Sequence, residues 1–241
     1  MSHLRPLVSV VVPFLNEEAA LAQVVIDAYS ELSRLGQFEI ILVDDGSRDN
    51  SYLIAQELLC AMPMLQLIRL EDNEGIGAAL RAGYRVSTGL FLTWIPADGE
   101  NSAEEIVSAL QFIMQSAEHV DAVLLYPVNS AEVRSVARRI ISMVFTFVIK
   151  SAFGVKPRYF NGTTIVSMAK FQKLKSSLKS TGFFLNAELV IRLYIDGAKV
   201  IERSTHLHPR RGSKSKAFTT RAITSTAKDF IRLLGSVKRH Q

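Results

Sequence analysis

The chain has 241 residues, 48% of them hydrophobic and 21% charged, with a net charge of +5 and one cysteine. That length supports one α/β domain with a full core, or two small domains; the composition fits a globular chain, and a single cysteine permits no disulfide within it. The charge is divided: residues 1–133 carry 6 Lys/Arg against 19 Asp/Glu, while residues 134–241 carry 22 against 4. A second half at +18 is suited to meet phosphates, an anionic lipid surface or nucleic acid, or to complement the acidic first half.

Val8 to Pro13 is a β-branched run without polar alternation, the pattern of a buried parallel strand. Asn16-Glu17-Glu18 opens a helix over about 17–34, with Leu21, Val24, Val25, Ala28 and Leu32 on one face, and Gly36 ends it. Phe38 to Val43 is a second strand, and Asp44-Asp45-Gly46-Ser47 is its exit loop. Ser47 or Asp49 caps a helix near 50–61. Cys60 falls in the apolar pattern of that helix and is expected in the core. Leu65 to Leu70 is a third strand, followed by a Gly-rich turn at Asn73 to Gly77 and a helix to about Ser87. Leu90 to Ile95 is a fourth strand, 104–117 a helix, and Asp121 to Leu125 a fifth strand.

Regular alternation of strand and helix with short loops specifies a mostly parallel sheet with helices on both faces. Ligands of such sheets bind at the carboxyl ends of the strands. Residues 13–17, 44–46 and 98–100 all fall there, so three polar clusters converge on one crevice. Pro13 stands where a dinucleotide-binding GxGxxG would begin, and no GxxxxGK[ST] is present. Nucleotide binding would have to use carboxylates, backbone groups and a bridging metal. Asp98 and Glu100, presented by the turn after the fourth strand, are suited to a hard divalent cation and hence to a diphosphate.

No stretch reaches the ~18 to 20 apolar residues that a spanning helix needs. The nearest, Ile140 to Ile149 between Arg138-Arg139 and Lys150, reads either as a core helix or as a helix lying in a membrane interface. Residues 221–237 repeat Ile223, Ala227, Phe230, Leu234 and Val237 at helical spacing, with Arg221, Lys228 and Arg232 on the polar side. This basic amphipathic helix reads as an anionic-membrane contact, or as a helix docked on the domain or on a second copy in a homodimer. Nothing in the basic half resembles a nucleic-acid-binding module, so nucleic acid is not expected as a partner. The absence of an apolar leader points to a cytoplasmic protein, peripheral at most on the cytoplasmic face of a membrane.

Four motifs in order carry a resemblance. Residues 10–18, VVVPFLNEE, resemble the "VVVPxYNEE" opening of family 2 glycosyltransferases; residues 42–49, LVDDGSRD, resemble their "VDDGSxDxT". Residues 73–79, NEGIGAA, resemble "NxGxGxA", with Ile76 where Lys is common. Residues 96–101, PADGEN, resemble "DADxQxP", with Pro96 for the first Asp and Glu100 for Gln. More weakly, 138–142 resembles a basic "RRxIS" helix, 182–189 a "GFxFxxE" segment, and 210–216 an "RxxGxSK" loop with its glycine shifted to Gly212. The similarity is greatest to the branch containing dolichol-phosphate mannose synthase and bacterial polyprenol-phosphate sugar transferases. The chain departs from that branch at Leu124 to Pro127, which lacks an arginine, and at Arg158 to Thr164, which replaces "DxxSGFR".

The resemblance implies a GT-A-type α/β fold, with residues 1–218 as the catalytic domain and 219–241 as a basic helical tail. It implies inverting transfer from a nucleotide-diphosphate-sugar to a polyprenyl phosphate, or alternatively to a glycan hydroxyl, or a non-catalytic nucleotide-sugar-binding subunit. Pro13, Leu15, Glu17, Val43 and Asp45 would hold the nucleoside, and Ala97 and Asp98 would lie against sugar and diphosphate. Asp98 and Glu100 would ligate Mg²⁺ or Mn²⁺, and Arg210 and Lys216 would neutralise the leaving diphosphate. Arg138 or Arg139 would face the acceptor phosphate. A hydroxyl acceptor would need a base, for which Glu188 is the candidate.

Overall fold

The computed structural model describes residues 5–211 and 220–237. In chain order its elements are β1 (Val8–Phe14), α1 (Leu21–Ser33), β2 (Phe38–Asp44), α2 (Ser51–Ala61), β3 (Leu65–Arg69), α3 (Ile76–Val86), β4 (Phe91–Trp94), α4 (Ala103–Gln115) and β5 (Ala122–Pro127). They continue with α5 (Ser130–Val133), α6 (Val136–Phe153), β6 (Thr164–Ser167), α7 (Met168–Leu174), α8 (Phe184–Ile195), β7 (Val200–Thr205) and α9 (Thr220–Val237).

One seven-stranded sheet runs in the order β3-β2-β1-β4-β6-β5-β7. All of its pairings are parallel except those of β6, which lies antiparallel between β4 and β5. β1 and β2 are buried along their whole length, as their β-branched, non-alternating sequences require. Successive side chains go to opposite faces. Val8, Val10, Val12, Ile40 and Leu42 pack with α1 and α4, whereas Val11, Ile41 and Val43 pack with α3, α7 and α8.

The five expected strands and their helices are present. β6 and β7 were not anticipated. β6 is four residues long, and β7 carries Glu202 and Arg203 at the sheet edge, where only one side needs a partner strand. The first helix begins at Leu21 rather than near 17. Asn16 adopts φ +50°, and the Glu17 carbonyl accepts from Ala20 and Leu21 before the helix is under way. Cys60 is exposed, not buried, because it lies off the Ala55/Leu58 stripe of α2.

The basic half supplies a third apolar cluster. Phe145 and Phe153 of α6, Phe184 of α8 and Phe230 of α9 contact one another edge to face, at ring separations of 5.6–6.2 Å. Leu233 is buried in the same cluster, so α9 is docked on the domain. α6 is mostly not a core helix. Of its residues only Ile149 is buried, while Val136, Ile140, Ile141, Met143, Val144, Phe147 and Val148 are exposed, Phe147 at 70%. Among the described residues, no helix is long and apolar enough to cross a membrane.

Candidate active site

The sheet order reverses about β1, and a crevice of about 610 Å³ opens at the carboxyl ends of β1, β2 and β4, where an open α/β sheet places its ligands. The loops around it are tied to each other before any ligand arrives. Ser47 Oγ accepts from the Asn16 N–H at 3.0 Å, Asn16 Oδ1 accepts from Arg48 N–H at 2.8 Å, and Ser51 Oγ accepts from Glu17 N–H at 2.8 Å. Asp45 accepts from the N–H groups of Glu74 and Gly75, which joins the β2 exit to the Gly-rich turn. Burial, with help from the Glu74 and Asp44 charges, raises the Asp45 carboxyl above its ordinary range despite those hydrogen bonds. Its oxygens keep further lone pairs toward the crevice. Gly77 lets α3 meet the opposite wall: a Cβ there would lie 2.4 Å from the Thr181 carbonyl.

The turn after β4 is the centre of charge. Gly99, at φ +77°, allows the chain to reverse so that Asp98 Oδ1 accepts from the Glu100 N–H at 3.0 Å. The segment after β7 lies alongside, with His208 N–H donating to Glu100 O and Arg211 N–H to Asp98 O, both at 2.9 Å. This delivers Arg210, whose Nη2 is 2.7 Å from Asp98 Oδ2 and 3.8 Å from Glu17 Oε1, with Nη1 3.9 Å from Glu100 Oε1. Glu100 is held from the other side. Arg138 grips it with two hydrogen bonds, at 2.8 and 3.1 Å, and Arg134 Nη2 adds a third at 3.1 Å. Burial alone would raise the Glu100 carboxyl; Arg138 and Arg134 outweigh it and hold the group below the usual carboxylate range. Burial dominates at Asp98 and pushes its carboxyl up, reinforced by Glu100 and Glu17 and opposed by the Glu100 N–H and Arg210.

The residues expected from the sequence fall into three groups. Pro13, Leu15, Glu17, Asp45, Ala97, Asp98, Glu100, Arg138 and Arg210 all line the crevice. Val43, Glu188 and Arg139 do not. Val43 is wholly buried against Val11 and Ile41, because strand alternation turns its side chain into the sheet face. Glu188 is 2% exposed and accepts from the N–H groups of Lys179 and Ser180 and from Arg192, so its carboxylate is engaged in bracing a loop. Arg139 sits half-buried on the neighbouring helical position. Lys216 lies outside the described residues.

Arg134 was missed, as were the crevice residues Trp94, Tyr159 and Asn186. Arg134 is the first base after the charge division at residue 133, which is the sequence signal that marks it. Its side chain is 10% exposed, donates to Tyr159 Oη at 2.7 Å, and leaves Nε buried without a partner. Asn186 accepts from Trp94 Nε1 and donates to the carbonyls of Phe160 and Gly162, which fixes the crevice floor.

The donor set suits a hard divalent cation. Asp98 and Glu100 are buried oxygen donors on either side of Gly99, and five carboxylates (Glu17, Asp45, Glu74, Asp98, Glu100) face three arginines (Arg134, Arg138, Arg210) across the crevice. Such a site lacks the positive charge that a diphosphate requires. Among the described residues no group of three or more acids, histidines or cysteines is arranged to hold an ion by itself. A cation here would therefore share its shell with ligand oxygens or water.

A family model for glycosyl transferase family 2 matches residues 9–174. The chain belongs to glycosyl transferase family 2. Among curated relatives, an undecaprenyl-phosphate 4-deoxy-4-formamido-L-arabinose transferase of Pseudomonas paraeruginosa is 38% identical over 122 residues, covering 48% of this chain and 35% of the relative. The protein of the same name from Shewanella sediminis is 30% identical over 152 residues, covering 62% of this chain and 44% of the relative. The chain thus matches less than half the length of these family members.

Solved structures extend the likeness over nearly the whole chain. Glucosyl-3-phosphoglycerate synthase from Mycobacterium tuberculosis, in complex with Mn²⁺, UDP and glucosyl-3-phosphoglycerate, superposes with a TM-score of 0.65 at 20% identity, covering 96% of this chain and 80% of that one. A mannosyltransferase from Pyrobaculum calidifontis, in complex with GDP-Man and Mn²⁺, superposes with a TM-score of 0.66 at 16% identity, covering 98% and 65%. At these identities the likeness establishes the fold, which is GT-A.

Proposed function

We propose that this family 2 member transfers a sugar, with inversion, from a nucleotide-diphosphate-sugar to a polyprenyl phosphate presented at a membrane surface. The observation that carries this reading is the two-part character of the crevice. Its lining holds Arg134, Arg138 and Arg210 among carboxylates. It also includes Ile141 and Phe145 of α6, Phe183, and Ile223 of α9. The apolar wall continues outward into the exposed apolar residues of α6. An acceptor with an anionic head and a hydrocarbon tail matches that sequence of surfaces. The names of the curated relatives, which act on undecaprenyl phosphate, support the same class of acceptor.

In this reading an acceptor phosphate oxygen attacks the anomeric carbon from the face opposite the diphosphate. The bond from that carbon to the diphosphate oxygen breaks, and the nucleoside diphosphate leaves with the electron pair. Arg210 stabilises the charge that accumulates on the leaving oxygens, an interaction that strengthens toward the transition state. Arg134 and Arg138 turn toward the acceptor phosphate with donors arranged for oxyanions, and Arg134 Nε is already free to give one. An acceptor phosphate is anionic at neutral pH and needs no general base, in keeping with the engagement of Glu188 elsewhere. Mg²⁺ or Mn²⁺, held by Asp98 and, once Arg134 and Arg138 turn to the acceptor phosphate, by Glu100, would supply Lewis-acid neutralisation of the diphosphate.

The test is incubation of the purified chain with a panel of UDP-, GDP- and dTDP-sugars and Mn²⁺, with polyprenyl phosphate in one arm and oligosaccharides in the other. Sugar appearing in the lipid phase, with inverted anomeric configuration, is the expected result. Transfer to oligosaccharide alone overturns the lipid acceptor and leaves the glycosyltransferase reading standing.

A further inference from the structure

We infer that Arg210 is a built-in counter-ion that holds the cation position on Asp98 until a nucleoside diphosphate draws it away, so that the diphosphate must bind before or together with the metal. The inference rests on the metal reading above. Its geometric basis is that one guanidinium reaches three carboxylates: Asp98 at 2.7 Å, Glu17 at 3.8 Å and Glu100 at 3.9 Å. A positive group at 2.7 Å from Asp98 Oδ2 fills the space and supplies the charge that a divalent ion would bring. Glu100 cannot substitute, because Arg138 and Arg134 already occupy both of its oxygens. A free cation therefore meets a pair of carboxylates that are each neutralised.

Arg210 also has the means to move. Its backbone neighbourhood is fixed by the hydrogen bonds of His208 and Arg211 to the Asp98–Glu100 turn, so the side chain swings from an anchored base. Nε is buried without a partner, and the side chain is 23% exposed on the crevice side. A diphosphate offers a guanidinium two or more oxygens in a geometry that a single carboxylate oxygen lacks. Transfer of Arg210 to the diphosphate frees Asp98 Oδ2 at the moment when phosphate oxygens arrive to complete a cation's shell. The affinities for diphosphate and cation are then reciprocally coupled through one side chain.

Mn²⁺ binding, followed by loss of the free-ion electron paramagnetic resonance signal, tests this without any turnover. The wild-type chain alone should bind Mn²⁺ weakly, and addition of UDP or GDP should tighten binding. Arg210→Met should bind Mn²⁺ without nucleotide more tightly than wild type by about tenfold or more, within the range for such couplings. Adding Asp98→Asn to that variant should abolish the gain and so locate the ion. Thermal unfolding confirms that each variant is folded, and Arg210→Lys, which keeps the charge, gives an independent reading by remaining weak. Equal Mn²⁺ affinity of wild type and Arg210→Met without nucleotide overturns the gate while leaving the metal site intact. No Mn²⁺ binding by wild type even with nucleoside diphosphate, and none by Arg210→Met, removes the gate and the metal reading together.

Discussion

Arg138 holds Glu100 through two hydrogen bonds, Nη1 to Oε1 at 2.8 Å and Nη2 to Oε2 at 3.1 Å. The pair joins the turn after β4 to the first turn of α6, and so ties the acidic half of the chain to the basic half at the crevice. With Glu100 4% and Arg138 26% exposed, solvent screens the contact only in part. Glu100→Gln and Arg138→Met should each destabilise the fold by about 1.5–3 kcal/mol, the range for hydrogen bonds to charged groups. The double variant should cost less than the sum of the two, with a coupling of about 1 kcal/mol or more. Denaturant unfolding of the four proteins measures this; strictly additive effects would show that the clamp carries no stability.

Asp98→Asn is isosteric and can still accept from the Glu100 N–H, so the fold should persist. If Asp98 holds the cation, metal-dependent release of nucleoside diphosphate should fall by about a hundredfold or more, the scale for losing a group that stabilises leaving-group charge. Unchanged turnover would take Asp98 out of the cation's shell.

Glu188→Gln separates bracing from base catalysis. The carboxylate accepts from Lys179 N–H at 3.0 Å, from Ser180 N–H at 2.9 Å and from Arg192 Nε at 2.9 Å, and those two backbone groups lead directly into Thr181 and Gly182 of the crevice wall. The variant should lose about 1–3 kcal/mol of stability. The pH profile of turnover should keep its shape. A profile that loses its basic limb would restore Glu188 as a proton acceptor.

Asp49, which accepts from the Glu18 and Ser51 N–H groups, gives a pH prediction. Burial alone would raise its carboxyl, but hydrogen bonds from Ser51 and from the Glu18 N–H outweigh it and lower the group below its ordinary 3.8. A carboxyl lowered on folding contributes stability at pH values above the unfolded value and loses it as pH falls through the folded one. The difference in melting temperature between wild type and Asp49→Asn should therefore be full at pH 6 and shrink as pH falls through 3.8, where the unfolded-state group is half protonated, toward the lower folded value. A difference that stays constant into acid would mean that the charge of Asp49 is irrelevant to the loop ties.

The half of the fold built from local signals was legible in the sequence. Val8 to Pro13 and Phe38 to Val43 could only be buried parallel strands, and their exit loops had to converge at one end of the sheet. What could not be read was what depends on contacts distant in sequence. Glu188 looks like an available carboxylate until the fold places Lys179, Ser180 and Arg192 on it. Arg134 looks like one base among many until the link between α5 and α6 places it on Glu100. Val43 sits in a stretch that resembles a family motif, yet its side chain is committed to the core by the strand's two-residue period. Cys60 shows the limit of periodicity near a helix end, where one residue's rotation decides between core and solvent.

α6 supplies the last prediction. Its apolar pattern in sequence fits a buried helix, yet Met143, Val144 and Phe147 are 61%, 56% and 70% exposed. Residues of that kind gain little in water, and burying one at a lipid surface is worth about 1.5–3 kcal/mol. If this face seats the crevice against a membrane, Phe147→Glu should release the chain from anionic liposomes in a flotation assay. The melting temperature in the absence of lipid should hardly move, since Phe147 is already exposed. Transfer to polyprenyl phosphate in vesicles should fall, whereas nucleoside diphosphate binding should not. Flotation that is the same with and without the charge at 147 would take this part of the α6 face away from the membrane and leave Arg138 and Arg134 with an acceptor delivered from solution.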